Sequence, residues 1–513
     1  MRAVTKNQMI EMEQQAVNEY KIPSLLLMEN AAMKVFSHCE RILNHTAAIV
    51  TVVCGTGNNG GDGFAIARQL HQNGYHADVI IIGDTENIKG DALINFNILE
   101  KLNISLMNIK NLSEHDFINI ISTSQLVVDA IFGTGLKRDI EGDTANYIAI
   151  INKFGKYILS VDVPSGTCSD TGETLGTTVI ANETVCLGLM KIGLLLYSGK
   201  VSANKIHVED ISLPKITLKN EYAFTYFEDF EISELLPKRK MRSNKGSFGK
   251  TLVFAGSAEM TGAPFLCSKA IYKIGGGLVK GCFIESVAKV IQNNLPEIVC
   301  KILPSGDNYS PESFESVKDE IENCSCMVLG PGIGTSVETK QFISQILNIS
   351  EKKVVIDADA LNILSTDLSI LETLKCESVI TPHPKEMSRL TNLSVEEVLK
   401  NPIEVAKNFA TWNNVTVVLK DSTTVVVSPK GQMFLNTTGN SSLAKGGTGD
   451  VLTGIIAGLI SQGLDVYDAS CLGVYIHGKT AEIASQKTSE YSLLASELID
   501  YLGECILHFK NLN

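Results

Sequence analysis

Residues 55–63 read Gly-Thr-Gly-Asn-Asn-Gly-Gly-Asp-Gly (GTGNNGGDG), and this loop decides the fold of the first half of the chain. It follows an apolar run, Ala48 to Cys54, that reads as a buried strand, and it leads into helical spacing from Gly63 to Gln72. Closely spaced glycines free the backbone for positive φ and let phosphate oxygens approach the amides. Gly55, Gly57 and Gly60 satisfy GxGxxG, and Asp84 ends the next strand about 20 residues on, the pattern of a dinucleotide-binding unit. GxGxxG alone is weak evidence. Asn58, Asn59 and Asp62 add what a phosphate loop does not need: side-chain oxygens able to bind hydroxyls, amides or a cation.

The pattern extends on both sides of the loop. Thr5 to Cys39 reads as helix, and Ala77 to Ile82, Leu126 to Ile131 and Tyr157 to Val163 are further apolar strand candidates. Short apolar strands alternating with helices predict an α/β fold with a parallel sheet covered on both faces. Asp129 closes the strand of LVVDAIFGTGLKRD before the turn Gly133 to Gly135, while Asp162 and Ser165 lie in VDVPSG. Open α/β sheets gather ligands beyond the carboxyl ends of their strands, so Asn59, Asp129, Asp162 and Ser165 are expected to converge. A turn or a helix cap accounts for any one aspartate. Three such positions in three consecutive loop regions point to a site.

GTGNNGGDG, DAIFGTGL and VDVPSG together resemble the NAD(P)H-hydrate epimerase family over roughly residues 1–215. The resemblance implies a Rossmann-like domain, residues 1–218. It implies one hydrate-binding loop at Asn58, Asn59, Gly60, Gly61 and Asp62 and a second at Gly133, Thr134, Gly135, Leu136, Lys137, Arg138 and Asp139. It also implies a potassium ion near Asn59, Asp129 and Ser165, and it sets Asp162 against the hydrate. An all-oxygen donor set suits a hard monovalent cation. Interconverting the R and S hydrates needs a proton moved at the hydrated ring carbon. Asp162 is assigned as acid/base, with orientation of the ring as the other role open to it.

A polar stretch from Ile211 to Ser243 interrupts the rhythm and sets a boundary near residue 220. A second α/β series then runs through Lys250 to Ala255, Met327 to Gly330, Lys353 to Asp357, Val379 to Thr381 and Val415 to Leu419. No sequence repeat relates the halves. The strongest local signal here is AKGGTGDVLTG, Ala444 to Gly454. Gly446, Gly447 and Gly449 open a helix beginning near Asp450, and its free amides and dipole make an anion hole for a transferring phosphoryl group. Asp450 sits where it can accept the proton of a hydroxyl attacking phosphorus. GPGIG (330–334), DADALN (357–362), TPHPKE (381–386) and KDSTT (420–424) each follow a strand and fit the same site, with His383 held between two prolines.

KGSFGKTLVFAGS, TGAP, GPGIG, DADALN, TPHP and GGTGDVLTG together resemble the ADP- or ATP-dependent NAD(P)H-hydrate dehydratases over roughly residues 225–508. The resemblance implies a ribokinase-like domain, residues 225–513, with hydrate contacts at Ala263, Gly332, His383 and Asp450. Nucleotide contacts fall on Lys420, Asp421, Ser422, Thr423, Thr424 and Gly449. Two segments depart from the family pattern: PHPGE is PHPKE, with Lys385, and NPGMATGG is NSSLAKGG, with Ser441, Ser442 and Lys445. Lys445 is expected to add a cation to the phosphate site. The implied reaction phosphorylates the ring hydroxyl of the S hydrate and then expels phosphate, a better leaving group than hydroxide, with Mg²⁺ bridging the phosphates. ADP, giving AMP and phosphate, is the expected donor because the fused arrangement resembles bacterial members that prefer it; ATP stays open, as does the choice between NADH hydrate and NADPH hydrate.

Bulk composition agrees with this frame. A chain of 513 residues exceeds what one core supports. Its 44% hydrophobic and 20% charged residues are those of a globular protein. A net charge of −13 with no long basic stripe argues against nonspecific nucleic-acid binding. The small basic cluster Lys238, Arg239, Lys240, Arg242 and Lys245 reads as a solvated linker. Twelve cysteines without a CxxC pair read as reduced, buried thiols. Met1 to Asn30 lacks a continuous apolar signal core, and Val451 to Ile460 is far shorter than the roughly 20 residues a bilayer needs. The expectation is a cytoplasmic, homo-oligomeric enzyme with no membrane or nucleic-acid partner. The alternative is a ribokinase-like small-molecule kinase with a non-catalytic N-terminal binding domain. A hydride-transferring dehydrogenase ranks third, for want of a second substrate pocket.

Overall fold

The computed structural model describes residues 1–214, 224–304 and 306–512; the boundary expected near 220, and the domain limit at 218, lie outside the described residues. The chain divides into two compact units, Arg2–Phe224 and Thr225–Asn513, the latter taking in Met1.

The first unit holds a seven-stranded, wholly parallel sheet. Its order is Ser105–Asn108, His76–Ile81, Ile49–Cys54, Leu126–Ala130, Ile158–Val161, Glu183–Leu187, Lys205–Glu209. Ranked by sequence this is 3-2-1-4-5-6-7, the Rossmann order, with its reversal point between Ile49–Cys54 and Leu126–Ala130. The strand IVTVVC is apolar on both faces because both faces are covered. Val50, Val52 and Cys54 pack with Phe64, Ala67 and Leu70, whereas Val53 packs with Val127, Phe117 and Ile151.

Three expectations need correction in this unit. The segment Thr5 to Cys39 is two helices, Lys6–Asn18 and Ser24–Leu43, parted at Lys21 (φ 57°) and Pro23, whose ring nitrogen has no proton for a helical bond. The helix after the glycine loop begins at Asn58, five residues earlier than Gly63, so NNGGDG is its first turns and Gly57 its cap. Asp84 does not end a strand: His76–Ile81 stops before it, and Asp84 is an exposed residue paired with Lys110. The strands Ser105–Asn108 and Lys205–Glu209 escaped sequence reading because they are edge strands, half-exposed and polar.

The second unit repeats the same order without sequence similarity. Val299–Ile302, Leu278–Phe283, Lys250–Phe254, Cys326–Leu329, Lys353–Ile356, Ser378–Ile380 and Thr416–Leu419 are parallel, and an antiparallel hairpin, Val425–Val427 and Met433–Leu435, extends the sheet. Val451 to Ile460 lies inside the 14-residue helix Thr448–Ser461, buried from Val451 through Ser461. No helix among the described residues is long and apolar enough to cross a membrane. In the basic cluster, Arg239 stacks 3.9 Å over Phe248 and donates to the Gly275 carbonyl at 2.8 Å, while its four neighbours are exposed. All twelve cysteines are free thiols, nine of them buried.

Candidate active sites

The first site opens at the reversal point of the first sheet. Gly55 donates its N–H to the Ala130 carbonyl at 3.0 Å, and a Cβ on Gly55 would stand 2.0 Å from the Ile131 carbonyl oxygen, so only glycine lets the two strand ends close. Above them lies a cavity of 970 Å³ lined by Asn58, Asn59, Asp62, the loop 132–138 and Asp162. Gly60 and Gly61 sit behind the wall, packed on Gly55 and on Met28 and Ala92, and Asp139 is exposed outside it.

Asp129 and Ser165 are wholly buried beneath this cavity. Ser165 Oγ and N, Ser160 Oγ and Ile131 N donate to the Asp129 carboxylate at 2.5, 2.9, 2.8 and 3.3 Å. Burial pushes this carboxyl up, and those donors pull it back. No cationic side chain among the described residues pairs with it. Asn59 approaches through Gly133, where a Cβ would meet Asn59 Oδ1 at 3.2 Å, and Asn59 Nδ2 is buried without a partner. A buried carboxylate with no cationic partner, flanked by the Ser165 hydroxyl oxygen, is a donor set that fits a monovalent cation such as potassium, with the Asn59 Oδ1 as the third oxygen the resemblance implies.

Asp162 adopts a left-handed backbone (φ 65°), held by its N–H to the Val185 carbonyl at 2.8 Å. Its Oδ1 accepts from Leu187 N at 3.2 Å and from the Lys191 ammonium. Burial pushes the Asp62 carboxyl well up, and the nearby Asp162 and Glu13 charges push it further.

The second site gathers on the carboxyl ends of the second sheet. Gly447 (φ 89°) caps helix Thr448–Ser461 and Asp450 lies in its first turn. Lys420 Nζ pairs with Asp357 Oδ1 at 3.1 Å, and Thr453 Oγ1 donates to Asp357 Oδ2 at 2.7 Å. Burial, then the Asp357 charge, raises the Asp450 carboxyl to about 7, with Lys420 opposing and Asp359 assisting. The loops bind one another. Gly334 N donates to Asp359 Oδ2 at 2.9 Å, Arg389 Nη1 to Asn362 Oδ1 at 2.6 Å, and Lys420 N to the Pro382 carbonyl at 2.9 Å. Gly332 (φ 62°) meets Ala263: a Cβ there would lie 3.3 Å from the Ala263 Cβ and 2.8 Å from that of Met260. In the loop 420–424, Asp421 and Ser422 are exposed, Thr423 is buried, and the Thr424 carbonyl accepts from Asn436 N at 2.9 Å.

His383 is the N-cap of helix Pro384–Thr391. Its Nδ1 accepts from Lys385 N at 3.1 Å and Glu386 N at 3.3 Å, and its own N–H donates to Glu386 Oε2 at 2.8 Å. Burial and the nearby Lys420 charge lower its imidazole below the ordinary value, so the ring is neutral at pH 7 with its proton on Nε2.

Residues 24–193 match the family model for the YjeF-related protein N-terminus, and residues 251–504 that for NAD(P)H-hydrate dehydratase. The bifunctional NAD(P)H-hydrate repair enzyme Nnr of Moorella thermoacetica is 34% identical over 508 residues, covering 98% of this chain and 96% of its own length. The chain belongs to the bifunctional NAD(P)H-hydrate repair enzymes. A ribokinase-like superfamily protein from Enterococcus faecalis has a TM-score of 0.50 at 24% identity over 57% of this chain and 99% of its own, which shows the ribokinase-like fold. An ADP/ATP-dependent NAD(P)H-hydrate dehydratase from Bacillus subtilis, co-crystallised with ATP/Mg²⁺, is 31% identical with a TM-score of 0.48 over 55% of this chain and 98% of that one. The kinase-with-scaffold alternative is not favoured, since the match to the repair enzymes runs through both halves.

In this repair-enzyme chain the two departures are accommodated locally. Lys385 occupies an exposed helical position that costs a side chain nothing, and Asn440 Oδ1 closes the Ser441–Leu443 turn by accepting from Ser442 Oγ at 2.6 Å. The cation expected of Lys445 is directed elsewhere: its ammonium donates to the Tyr491 and Leu493 carbonyls, each at 2.7 Å. Among the cavity residues that were missed are Glu13 and Lys191. Lys191 had a signal, a lone charge inside the apolar run LGLMKIGLLL.

Proposed function

We propose that this chain repairs hydrated NADH and NADPH by two successive activities. The domain over residues 1–218 interconverts the R and S hydrates, and the domain over residues 225–513 dehydrates the S hydrate, with ADP as phosphoryl donor giving AMP and phosphate. The observation that carries the dehydratase reading is Asp450, set in the first turn of a glycine-capped helix with its carboxyl raised to about 7. At that value the carboxylate takes the ring-hydroxyl proton as the hydroxyl attacks phosphorus, and the ring then expels phosphate. Amides at Gly446–Gly449 receive the transferred charge, and Lys420 stands beside them: a Cβ on Gly449 would lie 3.4 Å from its Nζ. Lys420–Thr424 and Gly449 hold the nucleotide, whose phosphate charge a divalent ion bound with it would neutralise, and Ala263, Gly332 and His383 contact the hydrate.

In the epimerase domain the hydrate occupies the 970 Å³ cavity against Asn58, Asn59, Asp62 and Gly133–Arg138. Potassium would be held by Asn59, Asp129 and Ser165, where it supplies the positive charge that Asp129 lacks. Asp162 is the acid/base. The test follows 340 nm absorbance on adding full-length protein, Mg²⁺ and ADP or ATP to separated R and S NADH hydrates. Recovery from both supports the two activities and identifies the donor. Recovery from S alone removes the epimerase, and a stable phosphorylated product in place of NADH removes the dehydratase.

A further inference from the structure

Lys191 is the one lysine or arginine among the described residues whose side chain is buried almost completely, 1% exposed, and it stands in the wall of the epimerase cavity. Placing an ammonium there without compensation would be prohibitive. Its compensation is specific: Nζ donates to Asp162 Oδ1 and to the Leu187 carbonyl at 2.5 Å. Leu187 N donates to the same Asp162 Oδ1 at 3.2 Å. Both partners of the carboxylate are therefore on one oxygen. Asp162 Oδ2 has no protein partner among the described residues, and the side chain is 14% exposed toward the cavity it lines.

Resting on the epimerase reading above, we propose that Lys191 is a positioning residue for epimerisation: it fixes Oδ1 of Asp162 so that Oδ2 is presented to the ring hydroxyl of the hydrate. In the step it serves, the hydroxyl O–H bond breaks and the proton forms an Oδ2–H bond; the freed electron pair on oxygen closes a C=O bond as the adjacent ring carbon–nitrogen bond breaks, that pair passing to nitrogen, and re-attack of the nitrogen on the other face with return of the proton to oxygen gives the opposite epimer. The arrangement has a reason. Glu13 and Asp62 line the same cavity, so the Asp162 carboxyl faces two further carboxyls, and Lys191 is the cation set directly against it. Burial pulls the Lys191 amine down, but the charge and hydrogen bond of Asp162, with Cys186 and Glu13, together outweigh that pull and leave the ammonium raised above its ordinary value. Lys191 also ties Asp162 to the end of strand Glu183–Leu187, which steadies its left-handed backbone.

The experiment compares wild type, Lys191→Met and Lys191→Ala, each as the full chain, on separated R and S NADH hydrates. Recovery from S reads only the dehydratase and is an internal measure of intact protein. K191M is expected to lose at least about 100-fold in kcat for the R hydrate, the scale of lost acid–base help, with KM within threefold and S recovery unchanged. K191A is expected to regain at least tenfold of that loss, saturably, on adding ethylammonium, which a packing role does not explain. If K191M loses the circular dichroism of its first unit, K191A prepared in ethylammonium provides the same reading. K191M with kcat within threefold of wild type, a change in KM alone, or a folded K191A that no amine rescues overturns the proposal. A wild type that leaves R hydrate untouched overturns the epimerase reading itself, a separate result.

Discussion

Lys420 and Asp357 form an ion pair, Nζ to Oδ1 at 3.1 Å, whose carboxylate is nearly buried and whose ammonium stands beside Gly449 of the anion hole. The pair therefore does two things at once. In the proposed reaction it stations a cation beside the transferring phosphoryl group, and it neutralises a carboxylate that would otherwise raise Asp450 further. Lys420→Met removes the partner of a buried charge, which costs about 3 kcal/mol. Denaturant unfolding of the second unit is expected to show that loss, and calorimetric titration a nucleotide Kd at least tenfold weaker. Unchanged affinity would place the nucleotide elsewhere.

Asp450→Asn is expected to lower dehydratase kcat by about 10²–10⁴ while R-to-S interconversion, followed by chromatography, continues. The same substitution should raise the thermal midpoint at pH 8. A carboxyl whose folded value is raised to about 7 stabilises the fold fully below the unfolded value of about 4, and that contribution is lost as pH climbs through 7.

The pH profile of dehydratase kcat is expected to rise through about 7, because Asp450 must be ionised to accept the proton. Below that point each pH unit costs about tenfold. In Asp357→Asn a charge that raises Asp450 is gone while Lys420 remains, so the limb moves to lower pH. An unmoved limb would assign it to another group.

His383 caps its helix and, in the proposed function, also contacts the hydrate, and substitution separates the two. Asn keeps the helix cap and Ala loses it, at about 1 kcal/mol. H383N is thus expected to melt like wild type and H383A to melt lower, with KM for the hydrate raised in both. A KM unchanged in H383N would make the histidine a cap only.

Replacing K⁺ by Li⁺ is expected to slow R-hydrate recovery at least tenfold and leave S-hydrate recovery alone, since the smaller ion cannot span Asn59, Asp129 and Ser165. Equal rates in the two salts would dismiss the cation.

Much of this was legible because the chemistry sits where strands end. GTGNNGGDG, VDVPSG and GGTGDVLTG announce loops by their glycines, and a strand end needs only a short apolar run before it to be recognised. What stayed hidden depends on packing. Nothing local says that Asp162 will take a left-handed backbone, because the Val185 and Leu187 contacts that hold it come from a strand more than twenty residues away. Lys445 looked like a phosphate ligand by adjacency, yet two carbonyls near residue 492 claim its ammonium. The break at Pro23 was readable from the proline alone, and the apolar periodicity on both sides overrode it.

The central place of Ile49–Cys54 has a consequence during synthesis. Its second neighbour, Leu126–Ala130, leaves the ribosome roughly 70 residues later, about 4–14 s at common elongation rates of 5–20 residues per second. Until then one edge of the strand is unpaired, and the glycine turn at Gly55 has no Ala130 carbonyl to bind. Nascent chains of this protein pass through an interval in which the central strand of the first sheet is open to the wrong partner, so a holdase acting before residue 130 emerges would raise the yield of folded protein.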